Sequence, residues 1–196
     1  PRVRIIARPG NHGRGIARHP GRATASKWDG HEWGMYYALM MMCSQLKNVT
    51  WDLDLKPWAI IDLHGHKALS THADTDIKLG SPLTKAEANY AQLVMTSTLK
   101  TYGESFESAY IAHFHSAVAV PGNPYMIYNG MLVPSNNHAK GVGYITRPCG
   151  QWLHEAVEGY PVGDLRFINV GLAQDQDESL GKIIPPFRFD MDSATG

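Results

Sequence analysis

Cysteine is nearly absent. Only Cys43 and Cys149 occur in 196 residues, which excludes a disulfide framework and a four-thiolate zinc site. A reducing, cytoplasmic setting is therefore the expectation. No apolar run approaches the roughly 20 residues needed to span a bilayer, and the longest ends at Cys43, so no membrane partner is expected. No charged-then-apolar leader opens the chain. Net charge is lacking too, with 18 basic against 18 acidic residues. That balance argues against a general polyanion binder, but it conceals an asymmetry. Acid is missing altogether from residues 1–27, which hold seven basic residues, Arg2, Arg4, Arg8, Arg14, Arg18, Arg22 and Lys27, and leave −7 for the remainder.

What is present suits a packed domain. Apolar residues make up 43% and aromatics 10%, too many for a disordered polymer. Glycine and proline together number 31, so many turns between short elements are expected. Residues 2–8 read as a strand, followed by a Gly-rich turn. Asp29 and Glu32 have the spacing of a capping box and open a helix to about Leu46, in which Met40 to Met42 read as core filler. Residues 51–55 and 58–63 read as strands, and His64-Gly65-His66 turns the second into a hairpin with 68–71. Thr84 and Glu87 form a second capping box, for a helix to about Tyr102. Strands are then expected at 108–112, 116–120, 125–129, 142–147, 151–157 and 165–170. The pattern is mixed α/β, with helices covering packed sheets. Residues 1–172 read as one core and 173–196 as an acidic, proline-containing tail.

Ten histidines are present, and several fall where strands end. Asn11-His12 lies in the turn after the first strand, the place where α/β proteins put functional groups. His72 closes the hairpin. His113 and His115 follow the strand at 108–112, and residues i and i+2 of an extended segment point the same way, so two imidazoles could face one transition metal. Taken singly, each has an ordinary reading. Asn in a glycine turn tolerates positive φ, a lone histidine is commonly a surface residue, and a His-x-His pair is commonly incidental. Their order along the chain is the stronger signal.

The blocks PGNHGR at 9–14, STHAD at 70–74 and IAHFH at 111–115, in that order, resemble the calcineurin-like metallophosphoesterases. IYNGMLV at 127–133 and PCGQW at 148–152 resemble phage-encoded members of that family that act on DNA, in which GNHGR is a common form. The resemblance implies a four-layer α-β-β-α sandwich of two packed mixed β-sheets, and a two-metal site. It places Asn11, His72 and His113 on the second metal and His115 on the first. It makes His12 the group that contacts phosphate and protonates the leaving oxygen. Arg14 stands where many members have an acid; its guanidinium could grip phosphate oxygens or pair with a carboxylate. Divalent ions are implied, Mn²⁺ first, with Zn²⁺, Fe²⁺ or Mg²⁺ as alternatives. The expected reaction is phosphodiester hydrolysis, with nucleic acid as the leading substrate and a metal-activated hydroxide as nucleophile.

The sequence departs from that pattern in two ways. Ala112 replaces the usual glycine before His-x-His. More seriously, the family's DxH and GDxxD motifs, which supply the first metal's ligands and the bridging carboxylate, do not precede Asn11. Asp62-Leu63-His64 reads D-x-H but falls inside the hairpin, where it and His66 are taken as turn residues. Asp74 is the nearest other carboxylate. The chain therefore reads as the family's C-terminal portion, motifs three to five, lacking two strands that an upstream segment or partner chain would supply. Little hydrolysis is expected of it alone. The competing readings are an inactive binding or structural module and a zinc-stabilised domain; a homo-oligomer is compatible with each.

Overall fold

A computed structural model of the chain describes residues 1–11, 13, 30–54, 56, 58–74, 97, 105–115, 117–132 and 149–169. Its centre is a five-stranded mixed sheet. Strands β3 (Trp58–Leu63), β4 (His66–Thr71), β5 (Ser108–Ile111), β6 (Val118–Val120) and β7 (Tyr125–Tyr128) lie in the order β3-β4-β5-β7-β6. The β3–β4 hairpin is antiparallel, β4, β5 and β7 run parallel, and β6 returns antiparallel on β7. Two shorter ladders accompany it. In one, β1 (Val3–Ile6) pairs in parallel with β2 (Val49–Asp52); in the other, β8 (Gly150–His154) pairs antiparallel with β9 (Leu165–Asn169). One helix, α1 (His31–Met42), connects β1 to β2. The result is a mixed α/β architecture around a mixed sheet, as expected.

Alternation explains the packing. The register aligns Ile60, Leu69, Ala109 and Met126 in one row, and Trp58, Thr71, Ile111 and Tyr128 in the next. Period-two alternation puts both rows on the same face of the sheet. Leu69, Ala109, Ile111, Met126 and Tyr128 form the buried core there, with Trp58, Ile60, Phe106 and Val118 packed against it. The opposite face carries Ile61, Leu63 and Tyr110, which meet Arg4 and Ile6 of β1 and the segment after β8 around a cavity of about 730 Å³.

The hairpin turn is built by its own residues. His64 and Gly65 both have positive φ, 55° and 86°, as a two-residue type I′ turn requires. The Asp62 carboxylate accepts the Gly65 N–H at 2.9 Å. Asp62 and His64 thus act as turn residues, as expected. The two blocks set aside for the phage subgroup also meet: Gln151 Nε2 donates to the Gly130 carbonyl at 2.8 Å and Trp152 Nε1 to the Tyr128 carbonyl at 2.9 Å. These bonds fasten β8 to the end of β7.

Several expectations are corrected. Helix α1 ends at Met42, not Leu46, and β2 begins at Val49 and ends at Asp52. Met41 and Met42 are 65% and 61% exposed, so they are not core filler. The helix is apolar around its whole circumference, so no stripe in the sequence selects a buried face. Glu32 does not close a capping box; its carboxylate accepts the Gly13 N–H instead. The strand expected at 142–147, nearly all of the helix at 84–102 and the tail at 173–196 lie outside the described residues. Among the described residues no helix is long and apolar enough to cross a membrane.

His66 ties the fold together in a charge-dependent way. Its Nδ1 lies 2.8 Å from Glu107 Oε2 and its Nε2 3.1 Å from the Val157 carbonyl. Both partners are acceptors, so only the imidazolium, with two N–H groups, satisfies both. The hydrogen bond to Glu107 raises the His66 pKa. A raised folded pKa gives stability that is fully present below the unfolded value, about 6.5 for histidine, and lost as pH rises through the folded value. Thermal midpoints of the wild type and Glu107→Gln should therefore differ most below pH about 6.5 and converge above neutrality. A gap that stays constant across that range would show the pair to be inert.

Candidate functional site

Three of the sequence-predicted residues converge at the carboxyl ends of β1, β4 and β5. Each is delivered by a turn that follows its strand. After β1, Pro9 and Gly10 lead to Asn11. After β4, His72 precedes Ala73, whose N–H is accepted by Thr71 Oγ1 at 3.0 Å. After β5, Ala112 donates its N–H to the Thr71 carbonyl at 3.1 Å, which brings His113 alongside the β4 turn.

The resulting contacts are close. His72 Nε2 donates to Asn11 Oδ1 at 2.9 Å, although 61 residues separate them. The His72 and His113 rings meet edge to face, with centroids 5.1 Å apart. His115 lies half-buried in the same turn. His12 and Arg14, the residues expected to contact phosphate, lie outside the described residues. They flank Gly13, which is described and sits against Glu32.

Backbone strain concentrates here. Four non-glycine residues among those described have positive φ, and three belong to this site: Ala73 at 61°, His113 at 75° and His115 at 53°. A side-chain-bearing residue in this region costs roughly 1–2 kcal/mol, and such outliers gather at functional sites. The expectation that His113 and His115 point together as residues of an extended strand is corrected. Strand β5 ends at Ile111, and Phe114 N–H donates back to the Ala112 carbonyl at 2.9 Å across His113. That i-to-i+2 bond with positive φ is a γ-turn of the rare, strained kind. The strain falls on His113, which carries a side chain at φ 75°. Phe114 anchors the turn by packing on Tyr128, with ring centroids 5.8 Å apart.

The electrostatic setting is defined by Arg8, Glu32 and Tyr36. A groove of about 360 Å³ runs from Tyr36, Trp51 and Arg8 to Thr71 and His72. The Arg8 guanidinium is not free to bind substrate there. It donates to Asp52 Oδ1 at 2.9 Å and to the carbonyls of Ala7, Asp52 and Trp58. Arg4 is likewise paired with Asp52, at 3.0 Å. Two members of the basic N-terminal segment are thus structural. Burial, and then the Glu32 charge, raise the Tyr36 pKa.

The donor set fits part of a metal shell. Two neighbouring ligands each about 2.1 Å from one ion stand roughly 3 Å apart, and Asn11 Oδ1 and His72 Nε2 have that separation. A cation shared by them would take the place of the proton between them, so its binding would be favoured by rising pH. However, no group of three or more His, Cys, Asp or Glu side chains among the described residues is arranged to hold a metal ion. Among the described residues no carboxylate joins this cluster as a metal ligand.

Two groups lie outside the motif blocks. Glu32 was assigned to helix capping, and nothing in its spacing to Gly13 announces their contact. Tyr110 and His154 form the other, in the wall of the larger cavity. The Tyr110 hydroxyl donates to His154 Nε2 at 2.6 Å, while His154 Nδ1 donates to the Glu155 carbonyl at 3.1 Å. A histidine within a strand carried no signal that could have found it.

No protein-family model matches the chain, and no curated protein matches it. Solved structures do. The chain is similar to a single-mutant Vps29 from Entamoeba histolytica at 11% identity and a TM-score of 0.43, covering 85% of this chain and 99% of that one. It is similar to vacuolar protein sorting 29 from Cryptosporidium parvum at 10% identity and a TM-score of 0.36, covering 68% and 76%. It is also similar to a Streptococcus pneumoniae protein described as a predicted phosphoesterase, at 9% identity and a TM-score of 0.33, covering 63% and 71%. These likenesses concern the outline of the fold and assign no residue a role.

Proposed function

We propose that the chain carries part of a divalent-metal-dependent phosphodiesterase site, with nucleic acid as the substrate class. The observation that supports this reading is the meeting of Asn11, His72 and His113 from three separate motif blocks at one end of the sheets. In this reading Asn11, His72 and His113 hold one divalent ion, Mn²⁺ first, and His115 belongs to a second. A bound metal supplies Lewis acidity and a hydroxide at neutral pH. His12 donates a proton to the leaving oxygen, and Arg14 holds non-bridging phosphate oxygens. Among the described residues the donors at the first metal's position are incomplete, so full activity requires further carboxylates.

The test is Mn²⁺ binding by calorimetry together with hydrolysis of a bis-aryl phosphodiester. Asn11→Ala and His72→Ala should each weaken Mn²⁺ binding at least tenfold and remove any chelator-sensitive hydrolysis. Hydrolysis that survives both chelator and His72→Ala would refute the reading.

A second reading is a catalytically inactive binding module, favoured by the lack of a carboxylate-containing metal group among the described residues. It predicts metal or DNA binding without turnover, with DNA affinity falling steeply as salt rises.

A further inference from the structure

We infer that Glu32 is the counter-charge of the cation site, acting through its negative charge beside Asn11 and His72 and not as one of the ligands. The inference rests on the metal-dependent reading above.

Glu32 stands in the first turn of α1, and its carboxylate reaches back over the β1 turn. Oε1 accepts the Gly13 N–H at 2.9 Å, while the Gly13 carbonyl accepts the His31 N–H at 2.7 Å. Gly13 is therefore held from both sides by the start of the helix. A methyl group at Gly13 would lie 2.2 Å from the Glu32 carboxyl carbon, so no side chain intervenes. A methyl group at Gly10 would lie 3.4 Å from Glu32 Oε1 and 3.4 Å from His72 Cε1. The carboxylate and the imidazole thus face the same small space across Gly10.

The second oxygen carries the argument. Glu32 Oε2 is buried and has no hydrogen-bond partner among the described residues. Burying a carboxylate that is only half satisfied is costly. Glutamine would accept the same Gly13 bond through its carbonyl and bury no charge, so positioning the turn does not explain an acid here. The negative charge itself is the property that distinguishes Glu32. Asn11, His72 and His113 are neutral donors, and a divalent cation among them gains from an anion in the adjoining shell, as metal-bound histidines and amides gain from outer carboxylates. The charge already acts in this space, since it is one of the causes that raise the Tyr36 pKa.

The test compares wild type with Glu32→Gln in two measurements: Mn²⁺ affinity by calorimetry, and thermal unfolding in the presence of chelator. The variant keeps the Gly13 acceptor and loses the charge. Its Mn²⁺ dissociation constant should rise at least tenfold, while its metal-free unfolding midpoint should equal or exceed that of the wild type. Unchanged Mn²⁺ affinity in the variant would overturn the inference and leave the roles of Asn11, His72 and His113 intact. A wild-type protein that binds no Mn²⁺ would overturn both. A lowered metal-free midpoint would overturn the inference alone, by showing that the fold needs the acid at Glu32 without any metal.

Discussion

Arg8→Met is expected to destabilise the fold by about 3 kcal/mol, the scale of breaking a buried ion pair by removing one partner. The Arg8 side chain is only 6% exposed and Asp52 25%. One guanidinium joins β1, the end of β2 and the start of β3 through Asp52 and three backbone carbonyls. Methionine fills the volume but supplies no donor: Asp52 keeps only the exposed Arg4 and the Asp54 N–H, and its carbonyl only the Ala7 N–H. For a chain of this size the thermal midpoint should fall by roughly 6–12 °C. Arg8→Met/Asp52→Leu should recover part of the loss, because the Asp52 carboxylate, left with the exposed Arg4 as its one cation, goes with it. The effect also has a pH signature. The Arg8 hydrogen bond is the leading cause that holds the Asp52 pKa below its ordinary value. A depressed folded pKa gives stability that is present above the unfolded value, about 3.9, and lost as pH falls through the folded one. The wild type should therefore lead the variant most at neutral pH, and the gap should narrow below pH about 4. A variant that unfolds within 1–2 °C of the wild type at neutral pH (about 0.5 kcal/mol) would show that β1 is held without this pair.

Arg8 also illustrates what could be read from the chain. The strand before PGNHGR and the hairpin after residue 63 follow from short apolar runs and a Gly-containing turn, both local properties, although the structure turns in two residues, His64 and Gly65, where the sequence reads three. That Asn11, His72 and His113 lie together was legible from their order at strand ends. Non-local pairings were hidden. Seven basic residues without an acid in 1–27 read as a segment of unpaired positive charge, yet Arg4 and Arg8 are taken by Asp52, more than 40 residues away. Glu32 matched a capping box by spacing, but its real partner is reached through the fold. The left-handed backbone of His113 was invisible for a different reason. Positive φ is ordinarily announced by glycine or asparagine, and at this turn neither occupies the strained position.

That strain makes His113 the position where function and stability separate most cleanly. His113→Ala and His113→Gly both remove an imidazole, and both should weaken Mn²⁺ binding by roughly 100-fold or more, since even outer-shell changes cost 10–100-fold. Both also lose the ring contacts with His72 and Phe114. They differ only in the backbone. At φ 75° alanine keeps a Cβ in the left-handed region while glycine does not, so the glycine variant should be more stable than the alanine variant by about 1 kcal/mol. The Ala112–Phe114 bond across the turn can form at either sign of φ, so the stability difference itself reports whether φ stays positive. Chemical denaturation of the two variants in chelator, beside Mn²⁺ calorimetry, reads both effects. If alanine proved as stable as glycine, the turn would have relaxed to negative φ, and the strain would not be imposed by the fold. If either variant kept wild-type Mn²⁺ affinity, His113 would be a structural member of the turn and the cation would be held by other groups. Loss of binding together with a stability advantage for glycine would show that the fold keeps a costly backbone conformation in order to present this imidazole.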